Sequence, residues 1–308
     1  MITAGIDVGS NTVRLLIAEV SNGRIIKRLC SKRGITRLGA GLNATGQLSQ
    51  ESMDKTIALL EEFAADLDEY NVDMAFPVAT SAVREASNGK EFLERAKRAG
   101  IWLAAIPGSK EAEYTYLGIA SNMQELPKSA IIYDIGGGST EFIYVKDGRV
   151  VADVSVPIGV VKLADKYGFD KPTEADTHRR CMSYIHEQLC ACDMITNFAQ
   201  DNATELIGTA GSVTTIAAVE LGMTAYDAER INKHILTRVN VEKQLAMLAP
   251  MTAEQRIALP GLEAGREDLM IAGILMVLVI MDIFGSYESG ISDNGLREGL
   301  AVAAEQMK

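Results

Sequence analysis

Asp7-Val8-Gly9-Ser10-Asn11-Thr12 and Asp134-Ile135-Gly136-Gly137-Gly138-Ser139-Thr140 are two versions of one phrase. Each follows an apolar run, residues 2–6 in the first case and 130–133 in the second. Each leads into another, residues 13–20 and 141–145. Such runs between turn residues read as β-strands. The repeated unit is therefore strand, Asp-led glycine turn, strand. Glycine permits a tight turn and a close approach of backbone to ligand. Successive backbone N–H groups in such a turn form an anion nest, to which the hydroxyls of Thr12, Ser139 and Thr140 can add donors. An aspartate at the strand end can hold a divalent cation, usually through water, beside a phosphate. Either phrase alone also fits an ordinary turn. The repetition between apolar strands is what favours two phosphate loops, and with them two α/β halves facing across a cleft.

The rest of the chain supports that division. Strands are predicted over residues 2–8, 13–20 and 25–29, with a hairpin turn at Asn22-Gly23. Residues 34–48 read as a loop and 49–70 as a helix opened by Ser49. A short strand over 73–79 runs into Thr80-Ser81-Ala82-Val83-Arg84. This junction suits either an anion contact through Arg84 or a simple N-cap with a surface arginine. A helix over 88–99 and a strand over 101–106 precede Pro107-Gly108-Ser109, which opens a helix over 110–122. Glu111 and Glu113 stand in its first turn, where the helix dipole favours acids; alternatively, Glu111 points into the cleft as a general base. The polar stretch 125–129 marks the boundary between a domain of residues 1–125 and one of 126–308. The last helix is free to pack back on the first domain.

The second half restarts the pattern, with strands over 130–133, 141–145 and 150–156. Helices follow over 160–167 and 173–191, with 193–199 as an extension. Residues 205–207 form a strand that ends in Gly208-Thr209-Ala210-Gly211-Ser212, a third glycine turn opening a helix and again suited to phosphate. A strand over 235–237, helices from 241 and from 252, an apolar helix over 265–283, a strand over 289–292 and a last helix complete the reading.

Composition narrows the class. The chain has 308 residues, 47% hydrophobic and 23% charged, as in a globular protein with room for two domains. The longest apolar run, 269–281, is too short for a membrane span and reads as a buried helix. The first residues lack a basic stretch followed by an apolar one, so no signal peptide is expected. Four cysteines without a CxxC pattern fit a reducing cytoplasm. His178, Cys181, His186, Cys190 and Cys192 lie along one predicted helix, which favours packed or exposed helix residues over a zinc site. The net charge of −11 argues against specific nucleic-acid binding. Yet residues 1–38 carry seven basic residues against two acids, and 24–37 hold six basic residues and no acid. That run suits either attraction of a polyanion or a solvated strand edge protected by charge.

Together, the segments 7–20 (DVGSNTVRLLIAEV), 79–86 (ATSAVREA), 107–118 (PGSKEAEYTYLG), 134–143 (DIGGGSTEFI), 208–215 (GTAGSVTT) and 292–299 (SDNGLREG) resemble the exopolyphosphatase and guanosine-pentaphosphate phosphohydrolase family. They span nearly the whole chain. The resemblance implies two actin-like ATPase-type, ribonuclease H-like domains, in the short two-domain form. It implies a Mg²⁺-dependent hydrolase acting on inorganic polyphosphate or guanosine pentaphosphate, and a homodimer at the level of the family only. By position, Glu111 matches the catalytic glutamate that activates water. Glu141 matches the acid that helps hold water or metal. Asp134 and Asp7 match the metal-proximal aspartates. Arg84 matches the phosphate-contacting arginine. Ser10, Asn11, Gly137, Gly138 and Ser139 match phosphate-loop positions. Thr12 and Thr140 in the two loops, with Gly211 and Ser212 in the third turn, complete the expected phosphate-binding set.

Phosphoryl transfer asks mainly for positioning and electrostatic stabilisation, which such a set supplies. One departure stands out. Lys110 precedes Glu111 where the family often has an acid, and Glu113 stands where an arginine is common. A lysine neighbour lowers the pKa of the base and an acidic one raises it. When the two phrases are aligned, Asp7 falls on Asp134, but Arg14 falls on Glu141. The second loop is therefore expected to face the hydrolysed phosphate and the first to grip the substrate. The rival activities are an ATP-dependent small-molecule kinase, which needs an acceptor-site base elsewhere, and a non-catalytic nucleotide-binding module, which would not keep Glu111 and Glu141.

Overall fold

The computed structural model describes residues 1–123, 127–200 and 205–307. The boundary expected between residues 125 and 126 lies outside them. The chain divides into two compact units, one of Met1–Leu126 with Asn294–Lys308 and one of Pro127–Asp293. In the first unit, β1 (Ile2–Val8), β2 (Thr12–Ser21) and β3 (Arg24–Ile35) are followed by α1 (Leu42–Thr45), α2 (Gln50–Glu69), β4 (Met74–Ala79), α3 (Ser81–Glu85), α4 (Gly89–Arg98), β5 (Ala104–Ala105) and α5 (Gly108–Ala120). In the second come β6 (Ser129–Ile135), β7 (Thr140–Lys146), β8 (Arg149–Val156), α6 (Val160–Tyr167), α7 (Ala175–Cys190), α8 (Asp193–Phe198), β9 (Glu205–Thr209), α9 (Ala210–Glu220), α10 (Ala228–Asn232), β10 (Ile235–Thr237), α11 (Arg238–Leu248), α12 (Ala253–Arg256), α13 (Met270–Ile283) and β11 (Glu288–Ile291). The last helix, α14 (Leu296–Gln306), belongs to the first unit.

Among the described residues the first sheet runs β3-β2-β1-β4-β5 and the second β8-β7-β6-β9-β11-β10. The first four strands of each unit thus take the same order. An antiparallel hairpin pair lies on one side of the first strand and a parallel neighbour on the other. This is the ribonuclease H-like arrangement of the actin-like ATPase fold. The hairpins close alike. Asn22 and Gly23 have φ of 54° and 71°, and Asp147 and Gly148 have 49° and 70°. These left-handed values match the twist of the flanking strands.

Burial explains why β2 reads as a continuous apolar run. Leu15 and Ile17 face a core shared with Phe63 of α2 and Phe92 of α4. Leu16, Ala18 and Val20 face the other way, onto Ala301 and Val302 of α14. A strand covered on both faces loses its alternation. α14 also covers Val78 and Ile106 with Leu296 and Leu300. Its approach depends on glycine. A Cβ on Gly299 would lie 1.7 Å from the Tyr114 carbonyl, one on Gly118 2.0 Å from the Gly295 carbonyl, and one on Gly5 2.2 Å from the Arg297 carbonyl. At the far end, Glu305 accepts hydrogen bonds from Asn22 N (3.1 Å) and Gly23 N (2.8 Å).

Glu298 is buried inside this joint. Its carboxylate meets Arg28 at 2.9 Å and Arg297 at 2.6 Å, and accepts from Gly295 N at 3.0 Å. Burial opposes its ionisation. Arg297, Arg28 and the Gly295 N–H outweigh that cost and hold the carboxyl at about 2.

In the second unit α13 is buried from Met270 to Met281. No described helix is long and apolar enough to cross a membrane. Several elements differ from expectation. The strand over 101–106 shrinks to two residues, because only Val78 and Ala79 of β4 pair with it. The apolar helix starts at Met270 rather than 265, since Gly265 has φ 91° and Arg266 N turns back to Glu263 O (3.1 Å). α11 starts three residues early because Thr237 caps it, accepting from Asn240 N at 3.3 Å. The loop over 34–48 contains the end of β3 and the single turn α1, bounded by left-handed Gly41 and Gly46.

Candidate active site

Strand register turns the repeated phrase into two rows of side chains. Residues directly opposite in a sheet point to the same face. In the second unit the row across β9, β6, β7 and β8 is Thr209, Asp134, Glu141 and Ser155. In the first, the row across β4, β1, β2 and β3 is Val78, Asp7, Arg14 and Arg33. Asp7, Asp134 and Glu141 are all buried. The pairing of Arg14 with Glu141 expected from alignment is thus an equivalence of register. One unit sets an acid beside a base, and the other sets two acids side by side. Ser155 Oγ donates to Glu141 Oε1 at 2.7 Å and fixes that carboxylate.

The two loops also close alike. Gly9 N donates to Thr12 O and Gly136 N to Ser139 O, both at 3.0 Å. The next carbonyls turn into the protein. Ser10 O accepts from Gly39 N (2.7 Å), and Asn11 O from Thr36 N (3.1 Å) and Arg37 N (3.0 Å). Gly136 O accepts from Val160 N (3.1 Å) and Gly137 O from Val161 N (2.9 Å). Both turns thus spend these carbonyls on bonds within the protein. The clamp of residues 36–39, with Arg37 left-handed at φ 52°, had no sequence signal beyond its glycine.

Ser10 Oγ lies 3.0 Å from Ser81 Oγ, which joins the first loop to α3. Thr80 does not cap α3; its hydroxyl donates to Val8 O at 3.4 Å. Arg84 is not a loose surface residue either. Its Nη1 donates to Ile106 O at 2.7 Å and lies 3.7 Å from Glu111 Oε2. Glu111 sits buried in the first turn of α5, its N–H bonded to Pro107 O at 3.1 Å. The structure therefore brings together Ser10 with Ser81, and Arg84 with Glu111. Lys110 and Glu113 pair with each other at 2.6 Å on the exposed side of that turn.

The third turn is tighter than the sequence suggested. Ala210, not a glycine, takes φ 68°. Ser212 Oγ donates to Ile135 O at 3.4 Å and ties α9 to the strand that carries Asp134. A Cβ on Gly211 would lie 2.2 Å from Arg266 Nη2, so the Arg266 guanidinium lies against that glycine. Arg266 is buried, with Nε 2.8 Å from Glu263 Oε2. No motif marked it; only tertiary packing brings it to the turn.

One expectation needs correction, and two open readings are narrowed. The Thr140 hydroxyl is not available as a phosphate donor. It is buried and donates to Ile158 O at 2.7 Å, because Thr140 lies opposite Ile135 on the other face of the sheet. The basic run 24–37 is not a uniform polyanion track. Arg28 is committed to Glu298 and Lys32 to Asp66 at 2.7 Å, and β3 is the edge strand of its sheet. The Cys/His residues along α7 stand as packed or exposed helix residues: Cys181 is buried, its thiol pushed up to about 12 by burial, and His178 bonds Thr173.

Among the described residues no group of three or more His, Cys, Asp or Glu could hold a metal ion. A cation at the Asp134–Glu141 pair would need water and substrate oxygens to complete its shell. That all-oxygen, partly aquated donor set fits Mg²⁺ and not zinc.

Residues 16–307 match the Ppx/GppA phosphatase family. The chain is similar to Exopolyphosphatase 2 of Mycobacterium tuberculosis, 31% identical over 318 residues and covering 97% of each. Among solved structures it is similar to the Aquifex aeolicus member of the Ppx/GppA family (31% identity, TM-score 0.81, 100% of this chain and 98% of that one). An exopolyphosphatase from Cytophaga hutchinsonii superposes with TM-score 0.89 at 26% identity, over 100% and 99% of the two chains.

Proposed function

The chain belongs to the Ppx/GppA phosphatase family and is a phosphoanhydride hydrolase, and we propose that it releases the terminal phosphate of inorganic polyphosphate. The observation that carries this reading is the buried Glu111 carboxylate beside the Arg84 guanidinium at the start of α5. A base next to a phosphate-seeking cation is what hydrolysis of a terminal phosphate asks for. Glu111 takes a proton from water as the water oxygen attacks the terminal phosphorus. The bridging P–O bond breaks, and its oxygen stays with the shortened chain. Arg84 steadies the phosphoryl oxygens. Ser10, Asn11 and Thr12 in one loop, with Gly137, Gly138 and Ser139 in the other and Gly211 and Ser212 in the third turn, hold phosphates through N–H and hydroxyl donors.

Asp134 and Glu141 would hold Mg²⁺, with Asp7 assigned the same role in the first loop. When bound, the ion screens the phosphate charge and draws electron density from the leaving oxygen. The four cysteines are free thiols, in keeping with a cytoplasmic protein. Guanosine pentaphosphate is the second substrate this reading admits.

The test is phosphate release from polyphosphate, guanosine pentaphosphate and ATP side by side, with and without Mg²⁺. Polyphosphate is expected to be hydrolysed fastest, and only with Mg²⁺. Glu111→Gln should lower the rate by about a hundredfold or more while leaving the circular dichroism spectrum unchanged. An undiminished rate in that variant removes Glu111 as the base.

A further inference from the structure

One hydrogen bond at the acid pair comes from outside every stretch that the sequence singled out. Ser155 on β8 donates through Oγ to Glu141 Oε1 at 2.7 Å, and Glu141 is 1% exposed. A buried carboxylate is costly unless its oxygens meet donors, and a hydroxyl given to an ionised acceptor makes one of the stronger hydrogen bonds. Ser155 reaches Glu141 only because β8 is irregular. Its first two pairs set Arg149 opposite Lys146 and Val150 opposite Val145, but the next sets Ala152 opposite Tyr144, so Val151 is an extra residue. Such a bulge shifts the pairing by one, and a shift of one moves every later side chain to the other face. Continued in its opening register, β8 would set Val154 opposite Glu141. With the bulge, Val154 lies opposite Phe142 and packs on the core, and Ser155 lies opposite Glu141.

The repeat supplies an internal comparison. In the first unit the residue at the place of Ser155 is Arg33, opposite Arg14 as Ser155 is opposite Glu141. A guanidinium beside Glu141 would neutralise the carboxylate and repel a metal ion. A serine hydroxyl does neither. It fixes the plane of the carboxylate through Oε1 and leaves the negative charge to act on a cation. Donors of this kind behind metal-binding carboxylates are worth about 10- to 100-fold in metal affinity or activity. The neighbouring members of the row are already fastened: Thr209 Oγ1 donates to Ser292 O at 2.9 Å, so it serves the strand end rather than Glu141.

We propose that Ser155 is a positioning residue of the acid pair: its hydroxyl, delivered by the bulge at Val151, holds the Glu141 carboxylate in the orientation in which it meets a divalent cation, without spending its charge. The inference rests on the assignment of Asp134 and Glu141 to that cation, but its binding arm needs no turnover. Mn²⁺ is the probe, its binding to the whole chain without substrate read by electron paramagnetic resonance. Ser155→Ala should weaken Mn²⁺ binding by about tenfold or more, and the Mg²⁺ concentration for half-maximal hydrolysis should rise by the same factor. With Mg²⁺ in excess, KM for polyphosphate should stay at the wild-type value. Ser155→Thr keeps the hydroxyl on a residue that suits a strand, and should bind Mn²⁺ as the wild type does. Unchanged Mn²⁺ affinity in Ser155→Ala overturns the proposal, as does equal weakening in both variants or failure of the wild-type protein to bind Mn²⁺; hydrolysis by the wild type in those cases leaves the phosphohydrolase reading standing. Weakening by alanine that threonine restores, in a protein that hydrolyses no phosphoanhydride, sustains the role of Ser155 and overturns the phosphohydrolase reading instead.

Discussion

At the scale of single residues, the sharpest contrast is between Glu111 and Glu298. Both are buried acids near arginine, but their surroundings differ. Glu111 has Arg84 at 3.7 Å, a spacing that leaves the guanidinium able to serve a third group. Glu298 is clasped by two guanidinium groups and a backbone N–H. Its folded value of about 2 lies below the unfolded glutamate value of about 4.3. The stability it lends is therefore complete above that unfolded value and is lost as pH falls toward 2. Glu298→Gln should cost about 2 kcal/mol at pH 7, the loss of charge-assisted hydrogen bonds from the part-buried Arg297 and the exposed Arg28. Urea denaturation at pH 7 and pH 3 checks this, with a smaller difference between variant and wild type expected at pH 3. The motif 292–299 announced itself in the sequence, but its task did not, since Arg28 lies 270 positions from Glu298. The Asp-led loops and Glu111 were legible because each is a short local phrase. Arg266 and the diverted hydroxyl of Thr140 were not, because packing and strand face decide them.

At the scale of elements, the hairpins, the two Asp-led turns and the buried α13 follow from patterns within a few residues. Boundaries failed where a partner decides them. β5 ends where β4 ends, and α13 begins only after the left-handed Gly265. The return of the last helix to the first domain was anticipated, but its seat against α5 was hidden, because nothing about Gly118 or Gly299 taken alone says which backbone it must admit. Gly299→Ala is expected to destabilise the first unit by about 3 kcal/mol, since the new methyl meets the Tyr114 carbonyl rather than a side chain that can swing aside. Thermal unfolding followed by circular dichroism reads the loss. An alanine variant as stable as the wild type would show that α5 and α14 can separate without cost.

At the scale of the whole molecule, the repeat in the sequence corresponds to two units with the same order of their first four strands, but the units differ in continuity. The second is one unbroken stretch, while the first needs Asn294–Lys308 to be whole. Removing residues 294–308 would strip Leu16, Val20, Val78 and Ile106 of their cover. Hydrogen exchange of that truncated chain should show β1, β2 and α5 losing protection while α13 keeps it; unchanged protection in β1 would contradict the account.

The place of α14 has a consequence in time. A ribosome releases the first strands of unit 1 early, yet cannot supply their cover until every residue of unit 2 has been made. The part begun first is completed last. During that interval the apolar outer face of β2 must be sheltered by something else, so chaperone dependence in a growing chain should centre on the first twenty residues rather than on the far more hydrophobic α13.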